Sequence, residues 1–408
     1  MKTILLVIAM CSFYVQSVNS QWQLVLNASS VYSMTAYSSI IFAGTNSGVY
    51  RSVDNGVSWS PTSFNVTQPV HAMTNSQNVI LAGTSSGHGV YYSTNFGSTW
   101  VQSSLNNKVV RSLGSSSDGS PYVYAGTHSF GVYKSTNYGL NWTQTTLNNR
   151  DVYSLAVSQY QVFAGTTNSS GVYVSDNDGT SWSPTSLNNQ NVYALAVTLP
   201  PTNYVYAGTS NGVFRSTNNG STWTQTLYNF TKALLVRGDS VFAGTSSSGI
   251  YLSTNYGVNW SQLNQGLGNG NATSIGGFCK TSFNPPNINY EFAGCDGTSG
   301  TGLYRTSTTF TGITPVKSQM PTGFSLGQNY PNPFNPVTNI EFSILGSGFV
   351  KLAIFDITGR ELETLVNENL NAGTYNADWN AENFSSGVYF YRIETVEFTE
   401  TKKMVLLK

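Results

Sequence analysis

Along most of the chain, short apolar runs alternate with Ser, Thr, Asn and Gly and are separated by turns rich in Gly and Asn. Alternation with a period of two, bounded by such turns, predicts half-buried strands, and no stretch shows the 3.6-residue spacing of a helix. An Ala-Gly-Thr tripeptide follows an aliphatic or aromatic residue at Ala43, Ala82, Ala125, Ala164, Ala207 and Ala243, and Ala293-Gly294-Cys295 is a seventh, variant copy. The copies are 39, 43, 39, 43, 36 and 50 residues apart. A period near 40–45 filled with strands predicts four-stranded propeller blades, whereas solenoid β-helices have much shorter coils. The fourth unit shows the plan: Val152 to Val157, then Val162 to Thr166, then Gly171 to Val174, then a turn and Trp182 opening the last strand. Seven blades are expected.

The turn before each Trp is the most specific local signal. It runs Ser52-Val53-Asp54-Asn55-Gly56-Val57-Ser58-Trp59 and recurs ending at Trp100, Trp142, Trp182, Trp223 and Trp260. Its third position is Asp54 and then Asn95, Asn137, Asn177, Asn218 and Asn255, side chains that accept hydrogen bonds from their own turn. Gly56 and its five counterparts supply a positive φ that other residues resist. Each Trp is expected to insert between layers and bury a large apolar area. These turns resemble the Asp-box, or BNR repeat, of sialidases, sortilin-type receptors, xyloglucanases and Ycf48-like photosystem assembly factors. The resemblance implies a folding element on the blade periphery, away from the ligand. Five of the six turns carry Asn where that family has Asp, which keeps the turn bond and removes charge. The seventh repeat has no such turn after Gly302-Leu303-Tyr304-Arg305, but Gln21-Trp22-Gln23-Leu24-Val25-Leu26 looks like the missing last strand. It is expected to pair into blade seven and close the ring, leaving no open sheet edge.

Residues 311–325 carry Pro315, Pro321 and Gly323 without the repeat pattern and read as a linker. Beyond it the composition changes: residues 326–408 hold ten carboxylates and six Lys/Arg, against eight and ten in residues 21–310. Alternating runs at 340–344, 350–354, 387–391 and 404–407 suggest a small β-sandwich. Tyr330-Pro331-Asn332-Pro333-Phe334-Asn335-Pro336-Val337-Thr338 resembles the opening of the type A C-terminal sorting domain of the type IX secretion system. Phe355 to Arg360, Gly387-Val388-Tyr389 and Lys402-Lys403-Met404 match its later blocks in order. The resemblance implies an immunoglobulin-like sandwich, read by an outer-membrane translocon and commonly cleaved on export. An ordinary adhesion-type sandwich is the alternative. The fold class expected for the whole is therefore all-β: a seven-bladed β-propeller closed by its N-terminal strand, followed by that sandwich.

Only 9% of the 408 residues are charged, against roughly 25% in an average soluble protein, and the 18 Lys+Arg equal the 18 Asp+Glu. A net charge of zero argues against a polybasic nucleic-acid binder. Lys2, the apolar run Ile4 to Val15 and small residues around Val18-Asn19-Ser20 read as an export signal over residues 1–20. An uncleaved anchor is the alternative, but the run is short of the ~20 residues needed to span a bilayer. The remaining Cys279 and Cys295 lie on segments read as neighbouring strands of an exported chain, which makes them candidates for one disulfide. No Cys/His metal spacing and no cofactor motif appears, so neither metal nor cofactor is expected.

Two function classes remain. A glycosidase needs two carboxylates, about 5–5.5 Å apart for retention or 6.5–9.5 Å for inversion. The propeller has Asp54, Asp118, Asp151, Asp176, Asp178, Asp239, Glu291 and Asp296. Most fall in turns and hairpins, Asp151 and Asp296 lie across the ring from each other, and Glu291 has no obvious partner in the sequence. Binding fits better. The second position of each innermost strand, at one mouth of the central channel, is Tyr32, His71, Arg111, Tyr153, Tyr193, Lys232 and Thr273, blade by blade. This position varies between aromatic, cationic and polar, which suits stacking and hydrogen bonding to a glycan or protein, although such side chains also serve simply to plug a channel. The expected partners are the secretion translocon, through the C-terminal domain, and an extracellular glycan or protein. A structural surface-layer role is the third reading.

Overall fold

The computed structural model describes residues 22–64, 68–116, 118–159, 161–198, 202–267, 274–280, 290–295, 301–306, 314–317, 323–346, 348–370, 373–382 and 384–408. The segment read as an export signal lies outside them. These residues build nine four-stranded sheets: seven propeller blades and the two sheets of a sandwich. In blade 4 the strands Val152–Val157, Val162–Thr166, Gly171–Ser175 and Ser183–Pro184 pair antiparallel in chain order. Blade 7 is composed of Ile275–Lys280, Glu291–Cys295, Gly302–Thr306 and, as its outer strand, Trp22–Leu26 from the start of the propeller. The innermost strands pack side by side around a full circle, Val31–Tyr37 touching both Val70–Ser76 and Ile275–Lys280. The ring is closed.

The Ala-Gly-Thr repeat works through packing. Its strand is buried on both faces in every blade, as the apolar run predicts. A Cβ on Gly126 would lie 2.6 Å from Val152 Cγ1, and one on Gly294 would lie 2.8 Å from Val31 Cγ1. The glycine thus admits the first residue of the next blade's inner strand. The Thr hydroxyl then donates to the carbonyl of the glycine opening the third strand, 2.7 Å from Thr127 to Gly131 and 2.7 Å from Thr166 to Gly171.

That pattern corrects the disulfide expectation. Cys295 occupies the Thr position of blade 7, fully buried, and pairs across the sheet with Ile275, whereas Cys279 pairs with Phe292. The offset is three residues on the partner strand, from Phe292 to Cys295, and three residues along a strand are ~10 Å, beyond the ~7 Å that a disulfide spans. The two thiols also join different core clusters, so no bridge forms.

Each of the six turns is organised by a buried serine to which the sequence reading gave no role. Ser52, Ser93, Ser135, Ser175, Ser216 and Ser253 donate to the Oδ1 of Asp54, Asn95, Asn137, Asn177, Asn218 and Asn255 at 2.8–3.0 Å. The same hydroxyl accepts the N–H of the turn glycine at 2.8–2.9 Å. The Asp or Asn oxygen accepts the N–H four residues on, at 2.8–2.9 Å. Two successive residues take positive φ, Tyr138 at 60° before Gly139 at 88° for example. The turns reach back onto the preceding blade: Arg51 Nη1 donates to Phe96 O at 2.7 Å, and Arg305 Nη1 to Asn55 O at 2.9 Å. The turn tryptophans are half-buried, less than expected, with four indole N–H groups donating to the turn glycine's carbonyl. Trp22 lies opposite Thr306 as Trp59 lies beside Ser52, so it is the seventh of the set, and it alone is 2% exposed.

Asp54 is the one ionisable member of this set. Hydrogen bonds from the Ser58 hydroxyl and N–H bring its carboxyl down to about 2. A depressed value stabilises the fold above the ordinary carboxyl pKa and loses that contribution as the pH falls through the folded one. Denaturation of Asp54→Asn should match the parent above pH 4 and exceed it in relative stability between roughly pH 4 and 2. Parallel acid limbs for the two proteins would contradict this.

The second domain packs Thr314–Lys317, Gly373–Asn380, Val337–Ile344 and Ser325–Leu326 in one sheet. The other holds Glu361–Leu370, Gly348–Phe355, Gly387–Thr395 and Thr399–Leu406. Trp379, Tyr391, Phe342 and Phe334 fill the core between them. The stretch read as a linker is therefore not free of structure, since Thr314–Lys317 pairs with Gly373–Asn380 and Ser325–Leu326 with Val337–Ile344. Proline did not prevent this, because Pro315 sits on an edge strand, where a missing donor is tolerated. Within the sorting motif the side chains divide. Phe334 and Tyr389 are buried, Phe334 packing against Trp379. Tyr330, Pro331, Asn332, Pro333, Asn335 and Lys403 are exposed, while Pro336, Gly387 and Lys402 are intermediate.

Candidate functional site

Every innermost strand has the same irregularity. Register with the second strand shifts between Val31 and Ser33, Val70 and Ala72, Val110 and Ser112, Val152 and Ser154, Val192 and Ala194, and Thr231 and Ala233. The residue skipped is Tyr32, His71, Arg111, Tyr153, Tyr193 or Lys232. A bulged residue is released from the ladder and its side chain is re-aimed, here toward the channel axis. In blade 7 the shift falls between Ile275 and Gly277, so the equivalent position is Gly276. Thr273, expected there from the sequence, lies outside the described residues. Ile275 takes the place of the five valines and Thr231 that open the other inner strands, packing where a Cβ on Gly244 would lie. The long seventh repeat hid that register.

Six bulge residues, with Gly276 and Phe230, line one cavity of about 220 Å³. All are half-buried, so they are neither core nor open surface. They touch in sequence around the mouth. The rings of Tyr32 and His71 have centroids 4.5 Å apart, and Arg111 Nη1 lies 3.4 Å from His71 Nδ1. The Arg111 guanidinium sits 5.2 Å from the centre of the Tyr153 ring, a cation–π contact. Tyr153 meets Tyr193 edge-on at 5.3 Å, and Tyr193 meets Phe230 at 4.9 Å. Lys232 Nζ donates to Ser274 Oγ at 3.0 Å. Burial first, and then the neighbouring Tyr153, push the Tyr193 phenol above its ordinary range. The sequence reading missed Phe230, Ser274 and Gly276. The signal for Phe230 was an aromatic just ahead of an inner strand, where other blades carry residues such as Asp151 and Asn191.

The cavity opens where inner strands begin, the end that also carries the Asn106-Asn107, Asn148-Asn149 and Asn188-Asn189 loops. The Ser-Asp/Asn-Gly turns connect third to fourth strands and so lie at the opposite end. Asp118 and Asp239, in hairpins between first and second strands, belong to that far end as well. So does Glu291: the sequence shows no obvious partner for it, but it is fully buried and ion-paired with Arg237 at the end of blade 6's inner strand. Burial pushes the Asp239 carboxyl upward. Among the described residues, Asp151 is the propeller carboxylate at the cavity end, and its Oδ2 is 3.0 Å from His128 Nδ1. Asp296 lies outside them.

The fold and site together define a seven-bladed propeller with a mixed aromatic and cationic channel mouth, joined to a C-terminal β-sandwich. Residues 328–407 match the model of the secretion system C-terminal sorting domain, which marks the chain for the cell surface or secretion through the type IX route. The fold is similar to that of PorZ, an essential bacterial surface component of the type-IX secretion system of Porphyromonas gingivalis, at 15% identity and TM-score 0.52 over 93% of this chain. It is also similar to the extracellular domains of two hybrid two-component systems of B. thetaiotaomicron, at 13% and 12% identity. Those TM-scores are 0.54 and 0.53, over 93% and 95% of this chain. The chain spans 60%, 56% and 59% of those three structures respectively, and the likeness is one of fold. No curated protein sequence matches it. Among the described residues no helix is long and apolar enough to cross a membrane.

Proposed function

We propose that this protein is an exported, non-catalytic binding protein whose propeller holds an extracellular glycan or protein at the channel mouth. The observation that carries the reading is the bulge. One backbone irregularity, repeated in seven blades, delivers six side chains of four kinds, Tyr, His, Arg and Lys, to a single cavity, and a scaffold position that serves only packing has no reason to vary so widely. Among the described residues no carboxylate lines the cavity, whereas a glycosidase requires an acid/base pair. The six Ser-Asp/Asn-Gly turns support kinship with the Asp-box propellers, in which the box is a folding element. The sequence of residues 1–20 supports an export leader, and that of 326–408 supports recognition by the secretion translocon, with cleavage in the segment before it. PorZ is a surface component of that secretion system, and the two-component domains are extracellular; the fold they share with this chain is compatible with sensing or capture outside the cell.

The test is a glycan array and a peptide pulldown with the purified protein, with Tyr153→Ala as the control. Saturable binding weakened by about tenfold or more in Tyr153→Ala is expected, because a buried aromatic anchor of this kind contributes roughly 2 kcal/mol or more. Binding that Tyr153→Ala leaves intact would move the ligand off the channel mouth. Turnover of any bound glycan would favour a glycosidase.

A further inference from the structure

We propose that the seam between blades 3 and 4 holds a second binding site, for a small zwitterion of the amino-acid or dipeptide class. Lys134 takes its carboxylate and Asp178 its ammonium. The site lies toward the end of the propeller opposite the channel mouth and does not depend on how that mouth is read. A cavity of about 290 Å³ opens between the outer part of blade 3 and the Ser-Asp/Asn-Gly turn of blade 4. Lys134 lines it from the one side and Asp178 from the other.

The repeat shows why this seam stays open. Lys134 holds the place that Arg51 and Arg305 hold in blades 1 and 7, next to the Ser or Thr that ends the third strand. Asp178 holds the place of Asn55 and Phe96, directly before the turn glycine. In those two seams the arginine bridges the gap, Arg305 donating to Asn55 O at 2.9 Å and Arg51 to Phe96 O at 2.7 Å. Arg305 and Lys134 both lie over a tyrosine of their own blade, 4.7 Å from the Tyr290 ring centre and 3.8 Å from that of Tyr122. A guanidinium can cover a ring and still extend a donor beyond it, whereas an ammonium is a compact point charge. Among the described residues, neither the Lys134 ammonium nor the Asp178 carboxylate makes a hydrogen bond or an ion pair.

Two opposite charges on facing walls define the ligand. Burial pulls the Lys134 ammonium below its ordinary range and Asp178 pushes the other way, so the two groups act on each other across the gap without touching. A neutral sugar would leave both charges unpaired, and a simple anion or cation would serve only one of them. A zwitterion serves both, with a charge-assisted hydrogen bond at each end. Lys134 is half-buried, where a pair of charges is screened less than on open surface. Thr136, Asn141 and Thr143 complete the lining with donors and acceptors that suit the amide of a peptide bond. The volume admits an amino acid or a dipeptide but no folded chain.

The experiment titrates the purified full chain by calorimetry with alanine, with dialanine, and with dialanine blocked as its N-acetyl derivative or its amide. Blocking either terminus should weaken binding by about tenfold or more, the loss of one charge-assisted bond. Lys134→Met and Asp178→Asn should do the same, with melting curves confirming that both fold. Asn suits the second position, since Asn55 and Asn219 take the same positive φ there, at 59° and 56°. Lys134→Arg is the sharper variant. It keeps the charge but should reach Asp178 O as Arg305 reaches Asn55 O, filling the seam and abolishing binding. Affinity unchanged in Asp178→Asn or in Lys134→Arg would place the ligand elsewhere and overturn the site. Equal binding of free and blocked dialanine would overturn the zwitterion class. No saturable binding of alanine or dialanine by the folded protein would overturn the proposal outright.

Discussion

Trp22→Ala should lower the stability of the propeller by about 3–5 kcal/mol, the usual cost of emptying a buried Trp site. Trp22 is the first residue of the strand that completes blade 7, opposite Thr306, and every other blade takes that strand from its own repeat. Its side chain is 2% exposed and packs with Phe242, Leu267, Ile275 and Tyr304. The indole N–H donates to Leu263 O at 2.9 Å and the backbone N–H to Gln265 O at 3.0 Å. Truncation leaves a cavity and removes a donor at the one point where the two ends of the ring meet. At roughly 2–4 °C per kcal/mol for a domain of this size, the melting temperature should fall by about 6–20 °C. Trp182→Ala, at a half-buried member of the same set, should cost less. A loss below about 1 kcal/mol at Trp22, measured by denaturant unfolding, would mean that the ring is closed by something other than this strand.

Gly131→Ala is the second large effect, at roughly 3–5 kcal/mol from left-handed backbone strain together with overpacking. Gly131 opens the third strand of blade 3 at φ 72°, and a Cβ there would lie 1.9 Å from Leu147 O and 2.7 Å from Asn148 Cα. Both obstacles are backbone, so no side-chain rotation relieves them. Gly89 and Gly171 face the same obstruction from Leu105 O and Leu187 O, at 1.7 and 1.9 Å. The control is Gly119→Ala, where φ is 85° and nothing lies within 4 Å of the added carbon. Strain alone should cost that variant about 1 kcal/mol. Equal losses in the two variants would show that the close approach at Gly131 carries none of the effect.

Much of the fold is legible in the repeat. The Ala-Gly-Thr copies number the blades because the glycine must admit the next blade's inner strand, a need that recurs with the geometry. The missing seventh turn and the spare Trp22 strand predict closure because a propeller leaves no sheet edge unpaired. The candidate site was legible in six of its positions, since a fixed place in the repeat varied in chemistry while its neighbours did not. It failed in blade 7, where a 50-residue spacing conceals which residue opens the strand, and Thr273 was named in place of the Gly276 position. Phe230 and Ser274 each precede their inner strand, so the repeat register within the strands does not mark them.

The cysteines and the presumed linker show the other limit. Sixteen residues of separation say that Cys279 and Cys295 stand on adjacent strands, but cross-strand register decides whether they meet, and here it sets them three ladder positions apart. Proline and glycine mark residues 311–325 as irregular, yet a strand can form there when a partner edge is at hand, and Gly373–Asn380 provides one for Thr314–Lys317.

By itself the sequence determined the local and the periodic: strands from alternation, turns from Ser, Asp/Asn and Gly at set offsets, blade number from the repeat and the export route from the C-terminal motif. Only the tertiary structure decided what depends on positions far apart in the chain. It set the bulge that turns Tyr32, His71, Arg111, Tyr153, Tyr193 and Lys232 onto one axis. It also placed Arg237 against Glu291, 54 residues away, and set the Arg111 guanidinium over the Tyr153 ring. The reason is physical: hydrogen bonding and hydrophobic periodicity act between near neighbours, whereas which charge faces which cavity depends on how seven sheets pack around a common centre.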